Sequence, residues 1–327
     1  MLARLLKKIT WLVMQLLTCK LLVHVFSFIF REIARSGRNS TICLKYGFLP
    51  VPVNFYSPIP DIQDLKERQI WDKKSDLAGI SFHKQKQFET LKTLSQFANE
   101  CQWPQSGNFD KSDFFLNNPS FSYGCAASTH CFIRFFKPTR ILEIGSGMSS
   151  KVISHALMQN ARENSKTFEY AIIDPFPGNA VVNGKLSNSR LIQKRVEFVS
   201  LETFDDLSDQ DILFIDSSHS VKIGSDVNFL ILEVLPRLKP GVIVHFHDIS
   251  LPFEYSPQYA TNEGFRQFWT EQYLLQAFLC LNKEFEILLA MHSLLSEDRK
   301  IFSDFFPAFA LLKDPPISGS FWIRRKK

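Results

Sequence analysis

The stretch Ile141-Leu-Glu-Ile-Gly-Ser-Gly-Met-Ser-Ser150 decides how this chain reads. A mostly apolar run from Arg140 to Ile144 has strand character, glycines follow at 145 and 147, and a helical pattern runs directly behind from Ser149 to Ala161. Glycines in such a turn admit positive φ and let a ligand come close to the backbone, while the helix behind presents unpaired N–H groups. Together they make a cradle of the nucleotide-binding kind. The dinucleotide fingerprint asks for a third glycine where this chain has Ser150, and its pyrophosphate would be repelled by Glu143 at the strand end. A cationic or zwitterionic ligand pairs better with glycines and a carboxylate.

S-adenosylmethionine has that chemistry, with a sulfonium, an ammonium and no phosphate. Asp174 closes the next strand in IIDPF, where a carboxylate can accept from both ribose hydroxyls. The plain alternatives are a solvated strand-end charge for Glu143 and a helix cap for Asp174. Outward from the loop, strands are expected at Tyr170–Ile173, Val196–Val199, Asp211–Ile215 and Val242–Phe246. Helices are expected at about Ala126–Phe136, Val221–Leu238 and Phe265–Leu281. Short apolar strands alternating with helices imply an α/β fold, a mostly parallel sheet with helices on both faces, and ligands at the carboxyl ends of the strands. Those ends carry Asp216 and His219 in FIDSSH, and His247 and Asp248 in VHFHDI. His245 lies on the same face as His247 but deeper, and reads as a core histidine.

The residues Glu143-Ile-Gly-Ser-Gly147, Asp174 and the stretch from Asp211 to Asp248 resemble the class I S-adenosylmethionine-dependent methyltransferases. The resemblance implies a Rossmann-like seven-stranded sheet ordered 3-2-1-4-5-7-6, with strands six and seven at Phe285–Ala290 and Ser320–Arg325. It makes Glu143, Gly145, Ser146, Gly147, Asp174 and Asp216 the donor-binding residues. Several segments, among them LNNPSFSYG (116–124) and DILFIDSSH (211–219), also resemble an uncharacterised bacterial subgroup of O-methyltransferase type. Catechol-type relatives hold magnesium between an acidic residue after strand four and an Asp-Asn pair after strand five. Here His247 and Asp248 stand in the place of that pair, so a divalent ion on Asp216, His247 and Asp248 would shift toward manganese, iron or zinc. The competing readings are metal-free base catalysis by His219 or His247, with Asp216 as partner, and a purely structural role. The implied reaction is methyl transfer to a hydroxyl of a small molecule or glycan, with Tyr255 and Glu271 in the aromatic segment after strand five as acceptor contacts. Rivals are a metal-dependent hydroxylase-like relative, a non-catalytic tethering protein that keeps the fold, and, more distantly, an NAD-dependent reductase.

The 327 residues are 45% hydrophobic and 22% charged, a globular composition, and the net charge of +5 lacks the density of a nucleic-acid binder. Thirty-two phenylalanines point to packing more than to chemistry. Six cysteines without a CxxC pair suggest neither a zinc knuckle nor a disulfide framework, and a cytoplasmic, reduced setting follows. Residues 9–30 form an apolar run long enough to span a bilayer. Lys20 at its centre would cost about 3 kcal/mol on insertion scales, and a small-x-small signal cleavage site is missing. Membrane contact, a spanning anchor and a helix packed on protein all remain open. The expected organisation is a hydrophobic helix over 1–37, a connector with a helical extension over 38–119, and the methyltransferase domain over 120–327. Nothing in the sequence sets the oligomeric state.

Overall fold

The computed structural model describes residues 11, 20–164, 167–186, 188–261 and 266–327. Seven strands follow one another along the chain: β1 Arg140–Ile144, β2 Glu169–Ile173, β3 Ser189–Ile192, β4 Ile212–Ile215, β5 Ile243–Phe246, β6 Phe285–Ala290 and β7 Phe321–Arg325. They form one sheet in the order β3-β2-β1-β4-β5-β7-β6. Neighbours from β3 to β5 pair in parallel, and β7 runs antiparallel to both β5 and β6. This is the sheet implied by the sequence, including the reversed last strand.

Because side chains alternate along a strand, each strand feeds two core layers. Ile141, Ile212, Phe214, Ile243 and Trp322 pack on one face against the helices Tyr123–Phe136 and Met148–Asn164. Leu142, Leu213, Val244, Phe246 and Ile323 pack on the other against a helical stretch over 226–237 and the helix Glu271–Leu279. Phenylalanine fills both layers, and Phe132 stacks on Trp322 with ring centroids 4.0 Å apart. His245 belongs to this packing: its ring stacks on Phe214 at 3.9 Å, and its Nε2 meets Ser320 Oγ at 2.9 Å.

Three expected elements are corrected, one of them the helix expected over Phe265–Leu281, which among the described residues is helical only over Glu271–Leu279. The third strand is Ser189–Ile192, not Val196–Val199, and Val196–Phe198 forms a single 3-10 turn. As the sheet's edge, β3 is only half-buried, so its sequence carries little apolar signal. The helix expected from Val221 starts only at Asp226, after Gly224 turns the chain at φ +68° and Ser225 Oγ accepts from Asn228 N–H. From Phe229 to Val234 it is wound as a π-helix.

The chain divides into two units, 1–69 and 70–327. In the first, Lys20–Ser36 is a helix with no buried residue, Ser40–Lys45 and Ile62–Glu67 are short helices, and 47–60 contains neither helix nor strand. Among the described residues no helix is long and apolar enough to cross a membrane. The expectation for residues 9–30 falls in part on 9, 10 and 12–19, which lie outside the described residues. The second unit holds the sheet, and the helix Lys84–Leu94 packs within it against β6.

Candidate active site

The loop after β1 is held open by glycine at two points for two reasons. Gly145 has φ +85°, and a Cβ there would fall 2.0 Å from the carbonyl oxygen of Asp216, so only glycine lets β1 and β4 end side by side. At Gly147 a Cβ would meet nothing within 4 Å and would project into open space. Ser150, at the position of the third glycine, accepts the Gly147 N–H through Oγ at 3.0 Å and so ties the turn to the helix behind it.

Glu143 lies under this loop. Strand alternation puts it on the face of Ile141, beneath the helix Met148–Asn164, where it is 0% exposed. Its carboxylate accepts from Ser149 Oγ at 2.7 Å and from the Tyr170 hydroxyl. Burial pushes its pKa up to about 7 against the pull of those bonds. Glu143 therefore acts on the loop from below, whereas Ser146 and Asp174 reach the cavity above it. Ser146 Oγ donates to Asp174 Oδ2 at 2.5 Å, and Phe176 N–H donates to Asp174 Oδ1 at 2.7 Å. That cavity, about 550 Å³, is lined by Gly145, Ser146, Asp174, Glu197, Asp216 and Ser218 among others. Its size and its strand-end position fit a nucleoside-sized ligand.

A second cavity, about 660 Å³, has His247 and Asp248, at the end of β5, in its wall. Phe121 and Tyr123, from the LNNPSFSYG segment, and the loop from Leu311 to Ile317 supply most of the rest. Asp248 sits at φ +55° and packs so closely on Gly319 that a Cβ there would lie 2.7 Å from the Asp248 Cα. Tyr255 and Glu271 do not line this cavity. Tyr255 OH accepts from Gln272 N–H at 3.0 Å inside the protein, and Glu271 is fully buried, so neither side chain expected to touch an acceptor reaches this cavity. The wall of this cavity was hidden in the sequence. A loop such as LLKDPPI shows its prolines but nothing of what it covers.

Between the cavities four side chains converge. Asp216 Oδ1 lies 3.3 Å from His219 Nε2 and 3.4 Å from His247 Nδ1. Asp248 Oδ2 lies 3.4 Å from His247 Nδ1 and 3.8 Å from His219 Nε2. Asp216, His219 and His247 each offer one ligating atom within 4.8 Å of the others, which suits one divalent cation. The set differs from the expected Asp216, His247 and Asp248: His219 takes the third place, and Asp248 reaches the cluster through Oδ2, 3.4 Å from His247 Nδ1. His219 sits at φ +56° between Asp216 and Trp269, whose ring centroid is 4.6 Å away, and it lines neither cavity.

The charges here are tightly linked. Burial alone would push both imidazoles down. Bonds to Asp216 and Glu271 instead raise His219 to about 10, and the Asp248 and Asp216 carboxylates hold His247 well above its usual value. Asp216 is kept far below the carboxylate range by His247 and His219 in spite of its burial. Positive charge is thus favoured at this point, whether carried by protons or by a metal.

The methyltransferase domain family matches residues 142–249, from β1 through the end of β5. An uncharacterised protein from Archaeoglobus fulgidus is 30% identical over 179 residues, which cover 53% of this chain and 80% of that protein. Among solved structures, the chain is similar to an O-methyltransferase from Streptomyces achromogenes involved in tomaymycin synthesis, in complex with S-adenosylmethionine. That likeness has 15% identity and a TM-score of 0.38, covering 73% of this chain and 90% of that one. An O-methyltransferase from Bacillus cereus gives 11% identity and a TM-score of 0.37, covering 73% and 91%. Both likenesses are too loose to bear on substrate. Matched domain and sheet order agree, and the chain belongs to the class I S-adenosylmethionine-dependent methyltransferase family.

Proposed function

We propose that this protein transfers the methyl group of S-adenosylmethionine to a hydroxyl of a small molecule or glycan. The observation that carries the reading is the junction of the two cavities. Asp216 lines the first, His247 and Asp248 line the second, and Asp216 Oδ1 is 3.4 Å from His247 Nδ1. A donor above Gly145 and Ser146 and an acceptor beside Tyr123 would meet at this cluster.

The donor's sulfonium already activates its methyl carbon. As the acceptor oxygen bonds to that carbon, the carbon–sulfur bond breaks and its electron pair stays on sulfur, leaving a neutral thioether. What the site must supply is orientation and removal of the hydroxyl proton. Asp216, His219, His247 and Asp248 would hold a divalent cation, which would supply a lowered pKa for the acceptor hydroxyl, so that its proton is given up to solvent as the acceptor binds and before the oxygen attacks. Asp174 would accept from the ribose hydroxyls, and the loop at Gly145–Gly147 would hold the methionine end. Phe121 and Tyr123 would exclude water from the acceptor side. His219 is badly placed for a free base, since it faces neither cavity and both ring nitrogens are engaged by carboxylates.

The test is transfer of labelled methyl from S-adenosylmethionine to a panel of phenols, polyols, sugars and amines. The reading expects label on oxygen in at least one hydroxyl compound, loss of transfer on chelation, and recovery with a divalent ion. Label appearing only on amines, or transfer unaffected by chelation, would overturn it.

A further inference from the structure

The helix Glu271–Leu279 lies 52 residues after His219 in sequence, yet it begins against that histidine and grips it twice. The N–H groups of Thr270 and Glu271 both donate to the His219 carbonyl, at 2.9 and 3.1 Å. The Glu271 carboxylate takes the ring: Oε2 is 2.7 Å from Nδ1, while Oε1 accepts from Ser217 Oγ at 3.4 Å. Glu271 is 0% exposed, and Thr270 Oγ1 also accepts the Val221 N–H at 2.7 Å, which closes the loop after β4 on this helix. A buried carboxylate on Nδ1 fixes the tautomer in which Nδ1 carries the proton. Nε2, which points toward Asp216 and Asp248, would then present its lone pair to a cation held between them, in place of the proton it otherwise shares with Asp216.

We propose that Glu271 is a positioning residue that makes His219 a metal ligand, so that the centre of Asp216, His219, His247 and Asp248 takes a transition-metal dication in preference to magnesium. The inference rests on the reading that a cation occupies the junction between the cavities. Magnesium favours oxygen donors and retained waters, whereas imidazole suits manganese, iron, cobalt and zinc. A set with two imidazoles, one of them locked in orientation by an outer carboxylate, is built for the second class. A carboxylate that served packing alone would have no need to meet the ring nitrogen opposite the cluster.

Cobalt(II) reports on this directly, through its visible absorption band and by calorimetry, without any turnover. The wild-type chain is expected to bind about one equivalent, with magnesium competing only in large excess. Outer-shell partners of metal-bound histidines typically contribute 10–100-fold in affinity, so Glu271→Leu should weaken cobalt by about that factor. Glu271→Gln, which keeps an oxygen acceptor for Nδ1–H, should fall between. Binding of S-adenosylmethionine, measured in parallel, should stay within about twofold and certify the fold of each variant. If the leucine variant fails that control, the glutamine variant carries the comparison. Equal cobalt affinity and an unchanged absorption band in the folded variants would overturn the role of Glu271 and leave the cation reading standing. Absence of cobalt and magnesium binding in the wild type would overturn the cation reading itself. Magnesium binding as tightly as cobalt would overturn the preference.

Discussion

Gly145 and Glu143 show what a single position can and cannot reveal. Gly145 is legible because two glycines between a strand and a helix call for positive φ, and the structure adds the reason, the Asp216 carbonyl lying where a Cβ would sit. Gly145→Ala should therefore destabilise the protein by about 1–3 kcal/mol, the range of a backbone held in a disfavoured region, with a matching loss in denaturant midpoint. Gly147→Val, facing open space, should shift the midpoint by little more than about 0.5 kcal/mol. Equal losses at the two sites would contradict the loop geometry. Glu143 was legible as a strand-end acid, but its direction was not. Only the alternation set by Ile141 and the helix above it turn its carboxylate into the core.

At the scale of elements, strands that pair on both sides were legible, and of the two edges β6 was legible while β3 was not. β4 is a continuous apolar run, and β1 and β5 are mostly apolar around Glu143 and His245, because both faces are covered, whereas β3, paired only with β2, reads as loop. The clamp of Glu271–Leu279 on His219 was equally silent, since no local pattern links residues 52 apart. A second clamp makes a prediction about acid stability. Arg134, in the helix Tyr123–Phe136, donates to Glu100 at 2.8 Å and to Glu163 at 2.6 Å, and His130 Nε2 meets Glu100 at 2.8 Å. Burial opposes ionisation of Glu100, but the bonds from His130 and Arg134 win and lower its pKa from 4.5 to about 2. The folded state thus holds that proton less tightly than the unfolded one. Its stabilisation is complete above about pH 4.5 and disappears as pH falls toward 2. Glu100→Gln should lower the melting temperature at pH 7 and make the fall between pH 5 and 2 shallower. A variant with the same pH dependence as wild type would contradict the account.

For the whole molecule, the second unit, 70–327, contains both cavities and every residue of the cluster. Expressed alone it should fold and bind the donor as the full chain does, to be checked by its unfolding transition and by calorimetry. A disordered fragment would show that 1–69 is needed for folding. The sheet order was legible only through the resemblance that the loop motif and the spaced acidic residues carry, and the site because parallel strands end on one side. The wall of the second cavity was not, because it is assembled from 116–123 and 311–317, nearly two hundred residues apart. The most direct test of the central claim is calorimetric titration of S-adenosylmethionine into the full chain, beside Gly147→Val, Asp174→Ala and an NAD control. The account predicts one saturable site per chain, abolished in Gly147→Val, weakened by about 1.5–3 kcal/mol in Asp174→Ala, and no heat with NAD. No binding of S-adenosylmethionine, or unchanged affinity in both variants, would contradict it.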